Sequence, residues 1–389
     1  MRLLLVSGTF PDQICGVGDY TALLARALAR IRDLEHIDVL TSTGPGPAKP
    51  IEGVEVHRIM EGWRLDEIER LRDAILRCEP DVVHLMYPSR LGTQDRGGLA
   101  NAIPWVARGV RRRGRVPAVV TTLHEFSERS RRFRARAWLN LVASDGIVFT
   151  SELDRDAALG WPGLARSQLR VIPIAANLSP ASTAVDVTSV RRRRGLSPES
   201  FLVMHFGLLA EDRGLEVLAR ASRWLASDGV ELVVIGEPPP RVRRRAPRRD
   251  LEALRAAEQE GTLRRIGHLA APELSALLAA ADAAVFPFAG GASARRGSML
   301  AAMAHGLPIV TTDGPCVPRA WSAADPPAIL VSPGDAAALA AALMRLRDDR
   351  ALRRRLGAAA RKRASTPSWE EIASRTAELY AESAAAARR

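Results

Sequence analysis

Short apolar runs alternate with amphipathic stretches along almost the whole chain. Runs of this length are typical of strands in a parallel sheet that helices cover on both faces. After the first run, apolar residues recur at helical spacing, which predicts a helix through Tyr20, Leu24, Leu28 and Ile31. In the first half of the chain, the pattern predicts strands at 3–6, 37–40, 54–59, 82–86, 118–122, 146–149 and 169–172.

A polar stretch rich in Pro, Ser and Thr interrupts this pattern and predicts a linker at 177–198. The pattern then restarts, with strands predicted at 201–206, 231–235, 263–266, 283–286, 307–311 and 329–331. We therefore predict an α/β protein with two doubly wound, Rossmann-like domains, at 1–176 and 199–366, and a final helix at 367–389. Open sheets of this kind bind ligands beyond the carboxyl ends of their strands, and we expect the two domains to face each other across a ligand cleft.

Composition and charge narrow the classes of partner. The 389 residues are 47% hydrophobic and 26% charged, which suits a soluble protein with two cores. The formal net charge is +12, and all but two of the 56 basic residues are arginines. A guanidinium binds two phosphate or carboxylate oxygens at once, so the charge points to nucleic acid, acidic lipid or a phosphorylated small molecule.

The arginines are concentrated in runs at 108–115, 131–136, 191–194 and 241–249. These runs contain almost no aromatic residues, and aromatics are only 5% of the chain, which disfavours a nucleic-acid partner. We interpret most of the runs as solvated surface.

Cysteine usage and the amino terminus indicate a cytoplasmic protein. Cys15, Cys78 and Cys316 are far apart and lack the paired spacing of a zinc site or a disulfide framework. The apolar start is followed within a few residues by a polar stretch, so we interpret it as a first strand rather than a signal peptide. No apolar run approaches the roughly 18 residues that a membrane-spanning helix needs.

Two loops in the first half are candidate ligand sites. Gly16 and Gly18 precede the first predicted helix, where glycine lets the backbone approach a ligand and the helix start offers N–H groups to an anion. The spacing differs from the dinucleotide-binding fingerprint, and a turn that needs glycine for its dihedrals remains the alternative. His124 follows an apolar strand, and we rank it first among the seven histidines; His84 and His205 lie within strands and are expected to be buried and bonded.

Two loops in the second half combine glycine with arginine. Arg213 and Gly214 precede a predicted helix after the strand at 201–206. Arg295, Arg296 and Ser298 fall in the first turn of a helix after the strand at 283–286. A cation at a helix start is mildly unfavourable unless an anion compensates it, so we expect a diphosphate there rather than solvated arginines.

With these motifs, the sequence resembles the glycosyltransferase family 4 group of retaining sugar transferases, which have the GT-B architecture. The resemblance runs over nearly the whole chain. It rests on the glycine loop at 16–21, the strand ends at 81–84 and 122–125, the end of the first domain at 171–174, the helix-to-strand signature at 301–310 and the tail at 368–370.

The resemblance implies a metal-independent enzyme whose second domain binds a nucleotide-diphosphate sugar and whose first domain binds the acceptor. The final helix is then expected to cross back to the first domain. Catalysis is expected at His124 and Arg213, with acceptor-side contacts from Asp19, His124 and Glu125. The donor-binding residues implied are Gly16, Gly18, Arg213, Ser293, Ala294, Arg295, Arg296, Gly297 and Ser298. The donor is a substrate, and no cofactor or metal is expected.

The chain departs from the family pattern at the donor site. Ser293 and Ala301 stand at the positions of the family's two glutamates, and Leu208 replaces an arginine of the phosphate-binding stretch. Arg213 stands at the position of that stretch's lysine. We expect arginines to take over around the phosphates.

These departures keep two rival hypotheses open. One is a protein of this fold that binds a sugar nucleotide without ordinary transfer. The other is a transferase with a lipid acceptor that contacts anionic membrane at the inner face, since two of the arginine runs lie in the predicted acceptor domain. We prefer an enzyme, because the glycine and arginine loops of the second domain are expected to converge on one sheet edge.

Overall fold

A computed structural model describes residues 1–13, 15–44, 46, 50–87, 98–110, 116–181, 185–238, 248–318, 321 and 326–387. The chain divides into two compact units, one formed by 1–174 with 367–389 and the other by 175–366. Ile14 of the glycine loop and parts of two arginine runs, 111–115 and 241–247, lie outside the described residues.

The first unit contains a parallel sheet of seven strands in the order β3-β2-β1-β4-β5-β6-β7. Its strands are apolar on both faces because helices cover both sides. The central strands β1, β4, β5 and β6 are almost completely buried. The strands are β1 (Arg2–Val6), β2 (His36–Ser42), β3 (Val54–Met60), β4 (Val82–Tyr87), β5 (Ala118–Leu123), β6 (Gly146–Phe149) and β7 (Leu169–Val171).

In the described part of this unit, five α-helices lie between these strands, and a sixth comes from the end of the chain. The connecting helices are α1 (Gly16–Leu28), α2 (Ile68–Cys78), α3 (Ile103–Gly109), α4 (Arg131–Val142) and α5 (Glu152–Ala158). The last helix of the chain, Trp369–Ala387, packs on α1 and on β5. Its Tyr380 is fully buried, and the hydroxyl is hydrogen-bonded to Nδ1 of His84 at 2.6 Å.

The second unit contains a parallel sheet of six strands in the order β10-β9-β8-β11-β12-β13. All thirteen strands that the apolar runs predict are present, with ends within two residues of the prediction. The strands of this sheet are β8 (Phe201–Phe206), β9 (Val230–Ile235), β10 (Arg264–Ile266), β11 (Ala283–Phe286), β12 (Ile309–Thr312) and β13 (Ala328–Val331).

Helices cover this sheet, and the core beneath them is aliphatic, with Leu218, Leu339 and Leu343 fully buried. Among the described helices, none is long and apolar enough to cross a membrane. The helices of this unit are α6 (Val187–Arg193), α7 (Leu215–Leu225), α8 (Arg248–Gln259), α9 (Ala271–Ala279), α10 (Gly297–Ala304), α11 (Ala336–Asp348) and α12 (Arg350–Ala364); the chain's last helix is α13.

The stretch interpreted as a linker contains helix α6, which starts at an Asp186 side-chain cap. Arg191 on this helix is only 5% exposed, so the interpretation of its arginine run as solvated surface is wrong at this residue. Its guanidinium donates to the carbonyl of Ala280 and to Oδ2 of Asp282. The burial is tolerated because carbonyls and a carboxylate satisfy the charge.

Candidate functional site

Strands β8 and β11 are neighbours in the second sheet although two other strands separate them along the chain. Within the sheet, β8 is followed by β9, which lies on one side of it, whereas β11 is followed by β12, which lies in the opposite direction. Such a reversal of strand order opens a crevice at the carboxyl ends, which is where open α/β sheets bind ligands. The loops that follow β8 and β11 carry Arg213 and Arg296, respectively.

These two loops are in direct contact. Gly214 has a left-handed φ of +64°, and a Cβ there would lie only 1.8 Å from the carbonyl oxygen of Pro287. The backbone N–H of Ala289 donates to the carbonyl of Asp212 at 3.0 Å. Glycine at 214 is therefore required both for its backbone conformation and for the close approach of the second loop.

Phe288 forms the floor beneath two arginines. Its ring is fully buried and stacks on Phe286 at 5.8 Å with an interplanar angle of 10°. The guanidinium carbon of Arg296 lies 4.4 Å from the Phe288 ring centroid, and that of Arg213 lies 5.5 Å from it. A guanidinium within about 6 Å of a ring centroid is attracted to the π face, so one ring holds both cations.

Asp212 lies between the same two arginines. Its Oδ2 accepts from Nη1 of Arg296 at 2.6 Å, and its Oδ1 is 3.2 Å from Nε of Arg213. Burial of Asp212 acts to raise the pKa of its carboxyl, but the charges of Arg213 and Arg296 outweigh this effect and hold the pKa below its ordinary value. Asp212 is therefore ionised at neutral pH, and the three side chains together keep one net positive charge.

One N–H group of the Arg296 guanidinium has no acceptor among the described residues. Its side chain is 15% exposed, and its Nε is buried with no hydrogen-bond partner in the part of the chain that the structure describes. A buried guanidinium N–H without an acceptor is costly. An anionic ligand would remove that cost.

Helix α10 begins at Gly297, so Ser298 lies in its first turn as predicted, whereas Arg296 is the N-cap and Arg295 precedes the helix. The first N–H groups of a helix have no intrahelical acceptor and bind anions well. The side chain of Ser298 faces the start of the first loop, since a Cβ on Gly207 would lie 3.4 Å from Ser298 Oγ. Guanidiniums, a hydroxyl and helix N–H groups thus lie at one sheet edge, and these are the groups that bind a phosphate.

The other predicted donor residues of the second unit lie in the same loop or helix, whereas Gly16 and Gly18 lie in α1 of the first unit. Ala294 and Arg295 form a half-buried turn, and Gly297 is the first residue of α10, beside the Asn177 side chain. Ser293 is 4% exposed and its carbonyl accepts from the N–H of Arg296. Ala301 is fully buried in α10, so neither family glutamate position offers a carboxylate.

The glycine loop of the first unit follows β1 and leads into α1. The prediction that Gly16 and Gly18 precede the helix is wrong, because α1 already begins at Gly16. A Cβ on Gly18 would lie 3.1 Å from backbone atoms of Thr9, so the first turn of α1 packs tightly against the loop after β1. A Cβ on Gly16 would meet nothing within 4 Å among the described residues. Asp19 lies in the first turn of α1, where a carboxylate is favourable to the helix dipole.

His124 directly follows β5, at the carboxyl edge of the first sheet. Its half-buried ring packs edge-on against Tyr20 at 4.7 Å, and Tyr20 in turn lies 5.4 Å from Trp369 of α13. Glu125, the next residue, forms an ion pair with Arg129. His124 is therefore held by aromatic packing, whereas the Glu125 carboxylate is already engaged by a neighbouring cation.

His84 and His205 are buried within strands and bonded, as their positions predict. Nε2 of His84 is hydrogen-bonded to Oγ1 of Thr122 at 2.7 Å, and Nδ1 of His205 to the carbonyl of Val285 at 2.9 Å. Burial lowers the pKa of His84 to about 3 and that of His205 to about 4. Both rings are therefore neutral near pH 7.

Sequence reasoning did not identify three residues that shape these sites. Asp212 and Phe288 organise the arginines, and their proximity to Arg213 and to the glycine-rich loop was the only available signal. Asp154 is completely buried, and its Oδ1 accepts from the N–H groups of Phe126 and Ser127. It thereby fixes the loop that follows His124.

Two family models match the chain, one on each unit. The model described as Glycosyltransferase Family 4 matches residues 14–179, and the model described as Glycosyl transferases group 1 matches residues 200–349. Among curated proteins, the chain is 26% identical to a D-inositol 3-phosphate glycosyltransferase from Pseudarthrobacter chlorophenolicus. That alignment covers 97% of this chain and 94% of the relative.

Solved structures of similar fold include two that align over nearly their whole length. A sucrose-phosphate synthase from Thermosynechococcus elongatus aligns with a TM-score of 0.76 at 20% identity, covering 99% of both chains. Anabaena HepE, in complex with UDP and glucose, aligns with a TM-score of 0.73 at 18% identity, covering 98% of this chain and 99% of its own. These similarities show the GT-B fold, which the family resemblance of the sequence also implies.

Proposed function

This chain belongs to the GT-B glycosyltransferases with a family 4 domain followed by a group 1 domain, and we propose that its donor is a nucleoside-diphosphate sugar. The observation that carries the proposal is the pair Arg213 and Arg296, held on the Phe288 ring beside Asp212 at the carboxyl edge of the second sheet. Their net positive charge and the α10 N-terminus suit a diphosphate. HepE was solved with UDP and with UDP-glucose, so uridine nucleotides are the first to test.

We propose a retaining reaction in which the protein supplies no nucleophile. The acceptor attacks the anomeric carbon from the face that the diphosphate leaves, and a phosphate oxygen takes the acceptor's proton. The bond to the diphosphate breaks as the new glycosidic bond forms. The task of the protein is then to position both substrates and to stabilise the charge that develops on the departing diphosphate.

In this proposal, arginines take the place of a divalent ion. They also supply the cationic contact that this chain lacks where Leu208 replaces the family's arginine. Arg213 and Arg296 stabilise the leaving group directly, and Asp212 keeps both guanidiniums in place. Arg295, Ser298 and the N–H groups of α10 complete the phosphate contacts. Because these groups are already charged and fixed, they need little rearrangement during the reaction.

We assign the acceptor to the first unit. His124 is the candidate for contact with the reacting sugar or acceptor, since its ring is half-buried at the carboxyl edge and oriented by Tyr20. Asp19, in the first turn of α1, is the second acceptor-side candidate, while Gly16 and Gly18 at the start of the same helix stay predicted donor contacts. The ion pair of Glu125 with Arg129 makes Glu125 the weaker acceptor-side candidate.

One observation favours contact with anionic membrane as a second property. Trp105 on α3 is 52% exposed and Leu139 on α4 is 43% exposed, and the Trp105 indole donates to the Leu139 carbonyl. Arg131, Arg132 and Arg136 of α4 are also exposed. Exposed apolar side chains next to arginines suit an anionic lipid surface. Absence of salt-sensitive co-sedimentation with anionic vesicles would exclude this property.

The donor proposal is tested by thermal unfolding with UDP, GDP, ADP and TDP. We expect one nucleotide to raise Tm, and we expect Arg295→Ala and Arg296→Ala to reduce that rise. No shift with any of the four would overturn the sugar-nucleotide proposal.

Hydrolysis then distinguishes transfer from binding. An enzyme should slowly hydrolyse the sugar nucleotide that carries the selected base. A protein that only binds it, as Ser293 and Ala301 in place of carboxylates would allow, should show the thermal shift without turnover.

A further inference from the structure

A second cluster of polar side chains lies in the first unit, on the edge strands β2 and β3. Asp38 pairs with Glu55 across the two strands, and Leu40 pairs with His57. Because side chains alternate along a strand, Asp38, Glu55 and His57 project to the same face of the sheet. Cys78, the last residue of α2, packs against that face and is buried.

Three different ligand atoms converge at this place. Nε2 of His57 lies 2.7 Å from Oδ1 of Asp38 and 3.8 Å from Sγ of Cys78. One potential ligand atom from each of the three side chains lies within 4.8 Å of those of the other two. Both contacts use the same ring nitrogen, so the three side chains surround one point rather than forming a relay through the two nitrogens of the ring.

Asp38 provides a second, independent observation. It is 2% exposed, and its Oδ2 is buried with no hydrogen-bond partner among the described residues. A buried carboxylate oxygen without a donor is costly, and coordination of a cation is one of the few ways to satisfy it. His36 extends the cluster, since its Nε2 is 3.3 Å from Asp38 Oδ1 and 3.7 Å from a Glu55 carboxylate oxygen.

We propose that Asp38, His57 and Cys78 bind a divalent transition-metal ion, with Zn²⁺ as the best fit. Thiolate, imidazole and carboxylate together select zinc-like ions over Mg²⁺ and Ca²⁺, which prefer oxygen ligands. Metal–ligand bonds of about 2.0–2.3 Å in tetrahedral geometry place ligand atoms about 3.3–3.7 Å apart. The contact between Nε2 and Sγ is already close to this range, and that between Oδ1 and Nε2 must open by about half an ångström.

Metal binding releases protons. The Cys78 thiol proton leaves to solvent, and His57 ligates through Nε2 as the neutral imidazole with its one proton on Nδ1, so an imidazolium at this position releases its second proton to solvent as well. A fourth position remains for water or for His36. The ion would join β2, β3 and the end of α2.

This site is separate from the sugar-nucleotide site. Its residues lie in the first unit, and Asp38 is near the amino-terminal end of β2, whereas the donor loops follow β8 and β11 of the second unit. We expect the metal to stabilise the first unit and to leave nucleotide binding unchanged. The failure of either proposal would therefore leave the other standing.

The test is titration of the chelator-treated full chain with Co²⁺, followed by absorption. We expect one equivalent to bind and to produce visible d–d bands with a near-ultraviolet thiolate charge-transfer band, and we expect Zn²⁺ to displace it. Zn²⁺ at one hundred times its Kd should raise Tm by about 4 °C or more.

Matched variants identify the ligands. Cys78→Ser should remove the charge-transfer band, and Asp38→Asn and His57→Gln should each weaken Co²⁺ binding at least tenfold. Cys316→Ser, which removes a thiol of the second unit, should leave the spectrum unchanged. No thiolate band in the wild-type chain, or a band lost with Cys316→Ser and kept with Cys78→Ser, would overturn the proposal even if one variant failed to fold.

Discussion

Replacement of Arg296 by methionine tests the donor site at its most constrained side chain. Methionine keeps an apolar stem over the Phe288 ring but removes the guanidinium, which lies 4.4 Å from that ring and 2.6 Å from Asp212. Arg213 still neutralises Asp212, so we expect the fold to remain intact. The variant thus isolates the contribution of Arg296 to ligand binding.

The expected loss follows from the charge and the burial of this group. A hydrogen bond to a charged group contributes about 1.5–3 kcal/mol, so the Kd for the nucleoside diphosphate should rise about 10- to 150-fold. When the wild-type chain binds the nucleotide, any release of Arg296 from Asp212 offsets part of the gain in binding free energy. The rise in Kd on substitution would then lie near the lower end of this range. Arg296→Lys, which keeps the charge but lacks the planar fork, should lose less than Arg296→Met.

Isothermal titration calorimetry with the nucleotide selected by thermal unfolding measures this loss. Arg223→Met is the matched control, because Arg223 on α7 of the same unit carries the same charge in an exposed ion pair with Glu260. We expect the control to bind within about twofold of the wild-type chain, since exposed ion pairs contribute little. Equal losses of nucleotide affinity in the two variants, or unchanged affinity in Arg296→Met, would show that Arg296 does not bind the nucleotide.

Three further predictions concern the fold that supports these sites. Gly214→Ala forces a left-handed residue with a Cβ into the Pro287 carbonyl, so unfolding measured in urea should show a loss of at least about 1–2 kcal/mol, with weaker nucleotide binding. Arg191→Met leaves buried acceptors without a donor and should cost about 2–4 kcal/mol in the same assay, whereas Arg193→Met on the exposed side of α6 should cost little. Burial lowers the pKa of His84 to about 3, so the unfolded chain binds more protons between pH 6.5 and 3; stability should fall on acidification by up to about 1.4 kcal/mol per pH unit, and His84→Gln should reduce that slope. Unchanged stability in the first two variants, or an unchanged slope in the third, would contradict these assignments.

The architecture could be predicted because its signal is local. Buried parallel strands must be apolar on both faces, so runs such as β4 and β8 are visible in the sequence without knowledge of their partners. The position of Arg213 and Arg296 after strand ends was equally visible. The order of the strands in the sheet makes these two loops neighbours. That order depends on where each crossover connection leads, which a single sequence does not specify.

What could not be predicted depends on contacts between residues far apart in the chain. The pairing of Asp212 with Arg296 spans 84 residues, and nothing near either residue signals it. Arg191 and its exposed neighbours in the same run look alike in sequence, and only the carbonyls that surround Arg191 distinguish it. Asp38, His57 and Cys78 likewise come from two strands and a helix, with spacings that match no metal motif.

We propose that the carboxyl edge of the second sheet binds the diphosphate of a sugar nucleotide. A crystal structure of the full chain with the nucleoside diphosphate selected by thermal unfolding is the decisive measurement. We expect the diphosphate at the start of α10, with its oxygens within hydrogen-bonding distance of the guanidiniums of Arg213 and Arg296. A nucleotide whose phosphates contact neither arginine would contradict it.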